Sequence, residues 1–254
     1  FYLNDRSQVA LTRTTVKGVV GGRCVALNAL NVGTRITGDR LVIADVSVRG
    51  SMRTTALGIY ANEATVSCAH CRIQNVEGIG AFVEQGATCT LTESLVREIP
   101  RGTVNTAGVM AQRGGTLQFV ASVAEDIAGT GVAVGGPSGR ATVERSVIRR
   151  TTPGAPTVPG DTERLVGEGI TSFSHTRLTV RKTLVTQTTH RGIVVFSDLS
   201  TIALEDVDVR HVRSPGGALG RVPSYGIVIA GTPTLAVTAE RVRVEDAFGS
   251  GVGV

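Results

Sequence analysis

The 254-residue chain has no tryptophan, three tyrosines and six phenylalanines, and lysine stands only at positions 17 and 182. So few aromatics, with almost no lysine, leave nothing for base stacking along a basic track, which argues against a nucleic-acid partner. No apolar run approaches the roughly 18 residues that a membrane-spanning helix needs. Hydrophobic residues nevertheless make up 41% of the chain against 19% charged, too apolar and too evenly spread for intrinsic disorder. The formal charge of +5 rests almost wholly on arginine. Arginine forks suit carboxylate, sulfate or phosphate, but a basic average without a stripe is no binding site.

Cysteine is scarce too, at Cys24, Cys68, Cys71 and Cys89. Cys68-Ala69-His70-Cys71 has the spacing of half a zinc site, but the chain has neither a second CxxC nor an HxxxH. Packing or a disulfide is the better account of these thiols than a metal. What the chain has in abundance is glycine, 32 residues. It opens at Phe1 and stops at Gly251-Val252-Gly253-Val254, in what reads as the middle of a strand, so it is expected to be part of a longer protein. Residues 1–254 read as a single domain.

A repeat runs throughout. Each copy is an inward-x-inward step, a turn residue, then a second inward-x-inward step. The template fits Val9 to Val16, Leu41 to Val48, Val66 to Ile73, Cys89 to Val96, Leu117 to Ala124, Ala141 to Ile148, Leu178 to Val185, Ile202 to Val209 and Val237 to Val244. From the third copy onward a glycine-led run precedes it, as in Gly58-Ile59-Tyr60-Ala61, Gly80-Ala81-Phe82-Val83 and Gly192-Ile193-Val194-Val195. Period-two alternation over runs this short means strands, and three strands per unit leave no room for a helix. The copies begin 23 to 37 residues apart. That is too long for hexapeptide coils, and the leucine and asparagine skeleton of a leucine-rich repeat is missing. The expected fold is all-β: a right-handed, single-stranded parallel β-helix of about nine coils, on the order of 40 Å long at roughly 4.8 Å per coil. Stacking the copies aligns Ser94, Ser122, Ser146 and Thr183 as an inward hydroxyl file. The same alignment puts Glu144, Arg181 and Glu205, then Lys182, Asp206 and Arg241, in outer charge ladders, with Asp208 beside Arg243.

These glycine-aliphatic-x-aliphatic runs, each followed by a Leu-Thr-aliphatic type of strand, resemble the repeats of the pectate-lyase-like right-handed β-helix proteins. The resemblance covers essentially the whole chain. It implies the fold and, because many such proteins cleave polysaccharides, it raises the question of an enzyme. The pectin-hydrolase set of Asn-Thr-Asp, Asp-Asp, Gly-His-Gly and Arg-Ile-Lys is absent; Thr189-His190-Arg191-Gly192 echoes only its third part. The Asp-Pro-His of uronan epimerases is missing as well.

The connections from the last template residue to the next glycine alternate between long and short. Long ones run from Arg49 to Leu57, Glu98 to Ala107, Arg149 to Glu168 and Arg210 to Tyr225. Insertions gathered on one face of a repeat protein mark a binding face. The two longest bracket a short connection holding His190 and Arg191, and should stand as walls roughly 10 Å apart. The expected ligand-binding residues are Arg149, Arg150, Arg164, Glu168, Arg210, Arg213 and Arg221. Catalytic candidates are His190, Arg191, His211 and Tyr225. No cofactor is expected; calcium would have to use Asp161 and Glu163, with Glu168. The outward residues Tyr60, Phe82 and Met110 on adjacent coils offer either a stacking surface or a face covered by the first long connections. The resulting expectation is a non-catalytic scaffold, secreted or on the cell surface, that binds an acidic polysaccharide or cell-surface glycan on its long-loop edge. The alternative is a polysaccharide lyase or hydrolase of an acidic glycan built around His190.

Overall fold

The computed structural model describes residues 1–22, 24–49, 55–100, 106–154, 167–214, 224–232 and 234–253, apart from the side chain of Ser197. Its strands form two parallel sheets, and no helix occurs among the described residues. One sheet stacks ten strands: Tyr2–Leu3, Val25–Leu30, Ala56–Asn62, Gly78–Glu84, Ala107–Gln112, Thr130–Gly135, Gly167–Phe173, His190–Ser197, Ser224–Gly231 and Gly249–Gly253. The other carries two ladders side by side, one for each half of the repeat template. In Arg177–Thr188 and Thr201–Val212 the two halves fuse into one bent strand. The chain visits the three ladders in order and then steps up one level, which makes a parallel β-helix with the right-handed sense that strand–crossover–strand units take.

The core is a stack of aliphatic columns. The register pairs Cys89 with Leu117, Leu117 with Ala141, Ala141 with Leu178, Leu178 with Ile202 and Ile202 with Val237, so each template residue sits on its equivalent. Nearly all of these side chains are buried. Cys24, Cys68, Cys71 and Cys89 are free thiols within this core; burial pushes Cys89 up to about 12. The hydroxyl file of Ser94, Ser122, Ser146 and Thr183 is likewise buried.

From Gly58 to Gly226 the glycine near the head of each strand of the ten-stranded sheet is there for room. A Cβ on Gly58 would lie 2.4 Å from the carbonyl oxygen of Gly80; on Gly80, 2.5 Å from that of Gly108; on Gly108, 2.6 Å from that of Gly131. From Gly169 to Gly226 a valine methyl of the neighbouring ladder is a second obstacle, 2.2 to 2.3 Å away. Backbones of successive coils approach too closely here for any side chain.

Three details differ from the sequence expectation. The second template copy begins at Ile36, not Leu41: Ile36 pairs with both Val9 and Val66, and Ile43 with both Val16 and Ile73. Strands Tyr2–Leu3 and Val25–Leu30 open the first two coils without a leading glycine. The third-ladder strands also run past the template, so Arg149, Arg150, Arg210 and His211 lie on strands, not in connections.

Candidate functional site

Two residues beyond the last template position, each coil turns a second corner through one residue with left-handed backbone. The column is Gly18, Asp45, Asn75, Glu98, Asp126, Arg150, Gln187, His211 and Asp246, with φ between 50° and 71°. Its non-glycine members are all polar, consistent with the cost of placing a β-branched or bulky apolar residue at positive φ. Side chains therefore project from this corner at one per coil, about 4.8 Å apart. A groove of about 870 Å³ follows the column, lined by Asn75, Glu98, Ile99, Pro100, Asp126, Ala128, Arg150, Thr152, Gln187, Thr189 and Arg213. A smaller hollow of about 270 Å³, from Gly18 and Asp45 to Glu77, shares Asn75 and Pro100 with it. Together they extend along the rod for roughly 30 Å.

The centre of the groove is an ionic cluster. Arg150 donates from Nε to Asp126 Oδ1 at 2.7 Å and from Nη2 to Glu125 Oε2 at 2.8 Å. Arg149 donates from Nε to the same Glu125 oxygen at 2.8 Å. Burial works to raise Glu125, but hydrogen bonds from the two arginines outweigh it and hold the carboxyl below its ordinary range. The Arg150 hydrogen bond does the same for Asp126. Both acids are paired with arginine and held in the ionised form, which suits holding a side-chain framework and does not suit donating a proton. Toward one end Asn75 donates to Asp45 at 2.7 Å; toward the other His211 Nδ1 meets Asp246 at 3.1 Å.

Of the residues expected from sequence, Arg150 and Arg213 line this groove, and Arg149 supports it. Arg210 turns to Asp208 and, at 3.6 Å, to Glu245. Glu168, His190 and Arg191 gather at the neighbouring corner, where the ten-stranded sheet begins. Glu168 is 4% exposed and His190 1%. Arg191 Nη1 donates to Glu168 Oε1 at 3.1 Å, and the Thr171 hydroxyl donates to the other carboxylate oxygen. Burial pushes Glu168 up and pushes His190 down to about 4, with Arg191 adding to the latter. Tyr225 pairs with Arg191 on the next strand.

Asp161, Glu163, Arg164 and Arg221 lie outside the described residues, as do 50–54, 101–105, 155–166 and 215–223 of the four long connections. Among the described residues no group of three His, Cys, Asp or Glu side chains is disposed to hold a metal ion. Met110 is buried, while Tyr60 and Phe82 are half-buried and stack on each other with ring centroids 5.7 Å apart. The Tyr60 hydroxyl donates to Glu84 at 2.6 Å. That face is internally satisfied. Asp206 and Asp208 are bound into the outer ladders by Arg241 and Arg243, and Arg181 meets Glu205 at 3.1 Å. Glu144 departs from its ladder: it is in register with Arg181 but bonds to its own neighbour Arg145 at 2.9 Å.

Sequence reasoning missed Asn75, Glu98, Asp126 and Gln187. The signal was present, since the position two after each template copy is polar or glycine throughout. No protein-family model matches the chain, and no curated protein does. Among solved structures the chain is similar to the crystal structure of the pectate lyase Pel9A, with a TM-score of 0.45 and 13% identity over 93% of this chain and 69% of that one.

Proposed function

We propose that this rod is a non-catalytic carbohydrate-binding scaffold, and that the corner groove from Gly18 to Arg213 receives an extended glycan lying along the helix axis. The observation that carries this reading is the left-handed column, which offers one polar side chain per coil at a spacing close to that of successive sugar units. A mixed lining of amides, hydroxyls, carboxylates and guanidinium groups supplies the donors and acceptors that sugar hydroxyls need. The Pro100 and Ala128 surfaces supply apolar contact. Extended polysaccharides are met outside the cell or at its surface, which is where this reading places the protein. The ion-paired state of Glu125 and Asp126 supports binding over cleavage.

The test is a glycan array followed by calorimetry with the best ligand. Replacing Asn75 and Gln187 together by glycine, the residue that Gly18 already places in this left-handed column, should weaken binding at least about tenfold with little change in melting temperature, because both side chains line the groove at the surface. Unchanged affinity would reject the groove. Turnover of polygalacturonate, alginate or chondroitin, read by ultraviolet absorbance of unsaturated ends and by reducing sugar, would reject the non-catalytic part.

A further inference from the structure

A second column follows the groove beside the left-handed one. Two residues beyond the left-handed corner, six successive coils place Glu77, Pro100, Ala128, Thr152, Thr189 and Arg213 along it. Ala128 is in register with Thr152, the Thr189 N–H donates to the Thr151 carbonyl at 3.0 Å, and Thr189 bridges to Arg213. At about 4.8 Å per coil the six residues span roughly 24 Å.

This column carries charge only at its two ends. Between Glu77 and Arg213 stand proline, alanine and two threonines. In the left-handed column every charged residue from Asp45 to Arg150 is paired: Asp45 with Lys17 at 3.4 Å, Glu98 with Arg97, and Asp126 with Arg150 at 2.7 Å. Arg213 is different. It is exposed, lines the groove, and its guanidinium has no ion pair or hydrogen bond among the described residues. Its backbone is nevertheless fixed: the N–H donates to the Thr188 carbonyl at 2.9 Å, and the carbonyl accepts from the His190 N–H at 2.8 Å and from the Ser224 hydroxyl at 3.2 Å. Glu77 is the opposite case. Its carboxylate accepts the Val48 N–H at 3.2 Å and meets no cation among the described residues.

The two ends define the chemistry of the occupant. An arginine fork presents paired donors to a planar or tetrahedral oxyanion, and here no internal ion pair has to be broken first. The Thr189 and Thr152 hydroxyls and the Gln187 amide beside it suit the hydroxyls of adjoining sugars. Farther along, a second anion finds the guanidinium of Arg150 already engaged by Glu125 and Asp126, and at the far end it faces Glu77. Like charges brought together select against such a ligand.

We propose that Arg213 is the oxyanion subsite of the groove: it takes the carboxylate or sulfate of a single acidic sugar, and the units toward Glu77 are uncharged. This rests on the groove reading and names its ligand class, a glycan with isolated acidic units and not a homopolymer of uronate. The probes are hexasaccharides of galactose, glucose and mannose. Each is made uncharged, with a single terminal uronate at either end in turn, with a single terminal sulfate likewise, and oxidised throughout to the hexauronate. Calorimetry at fixed salt gives the affinities.

The expected result is that, on at least one backbone, a singly charged probe binds at least about fivefold more tightly than its uncharged form and more tightly than the hexauronate. The uronate and sulfate arms tell which oxyanion fits. In Arg213→Gln the ratio of singly charged to uncharged affinity should fall to about one. Glu77→Gln should narrow the gap between the hexauronate and the singly charged probe. Melting temperatures check that both surface variants fold. If uncharged probes bind and the Asn75 and Gln187 double variant loses them, while a single charge brings no gain or the gain survives Arg213→Gln, the groove stands and the subsite falls. A hexauronate that binds tightest of all overturns the isolated-charge ligand. Binding of no probe overturns both readings.

Discussion

Ser94 and Ser122 stand one above the other inside the rod, and the amide N–H of Ser94 donates to the Ser122 hydroxyl oxygen at 3.0 Å. The same bond recurs from Cys71 N–H to Ser94 Oγ at 3.1 Å and from Ser122 N–H to Ser146 Oγ at 3.2 Å. Each hydroxyl donates in turn to the carbonyl two residues earlier in its own coil, Ser122 to Val120 at 2.8 Å. The corner leaves an amide N–H that the file satisfies without water, while the Val120 carbonyl accepts the Glu93 N–H at 3.0 Å as well as the Ser122 hydroxyl.

Ser122→Ala removes one link and leaves the Ser94 N–H buried and unpaired. The expected cost is about 1–3 kcal/mol, read as a lower urea midpoint with the slope unchanged. Ser122→Thr keeps the hydroxyl and should lie nearer the parent than alanine does. Equal stability of alanine and parent would show that the file contributes nothing.

The glycine column gives a contrast within one residue type. Gly108→Ala must push Cβ against the Gly131 carbonyl, 2.6 Å away, and overpacking of this kind costs about 1–3 kcal/mol. Gly22→Ala meets nothing within 4 Å and has no positive φ, so it should stay within about 0.5 kcal/mol of the parent. Thermal melts of the two variants decide the matter; equal melting temperatures would deny the steric account.

How far the sequence could be read follows from the same contacts. Eight of nine template copies were in register because inward aliphatics repeat at fixed offsets and each column is built of like residues. The second copy misleads for a local reason. Leu41, Ile43, Val46 and Val48 show the template spacing, while the true frame puts Gly38 at an inward position. A Cβ on Gly38 would be 2.8 Å from the Cys68 sulfur and 3.5 Å from that of Cys71. Glycine is there to admit two thiols from the next coil, a requirement visible only in three dimensions. Likewise, alternating connection lengths directed attention to the loop edge around His190. They said nothing of a corner whose side chains project because their backbone is left-handed. His190 itself was read as a groove residue; its burial comes from neighbouring coils that sequence spacing does not place.

Arg150 links two carboxylates of the groove, so its loss should be felt most above their unfolded pKa values. Arg150→Gln removes charge-assisted hydrogen bonds to Glu125 and Asp126, an expected loss of about 1–3 kcal/mol at pH 7. Both carboxyls are depressed in the folded protein, so the stability that they contribute is present above the unfolded pKa and disappears as pH falls through the folded one. Parent and variant should therefore converge on acidification below about pH 4. Urea titrations at pH 7 and pH 3 test this; a gap as wide at pH 3 as at pH 7 would refute the ionic account.

His190 works in the opposite chemical sense over a different interval. Its folded pKa, near 4, lies below the 6.5 of a free imidazole, because burial and Arg191 disfavour the charged ring. Between those values the unfolded chain binds a proton that the folded protein refuses, so stability rises with pH across the interval and falls on acidification from about pH 6.5 toward 4. The loss is complete once the pH has fallen past about 4. His190→Phe keeps an aromatic ring but removes the titration, so its stability should vary less over this range than the parent's. Unfolding free energies measured at half-unit steps from pH 7.5 to 4 provide the check. Parallel curves for the two proteins would mean that the imidazole is solvated after all, and that its ring nitrogens have partners in water.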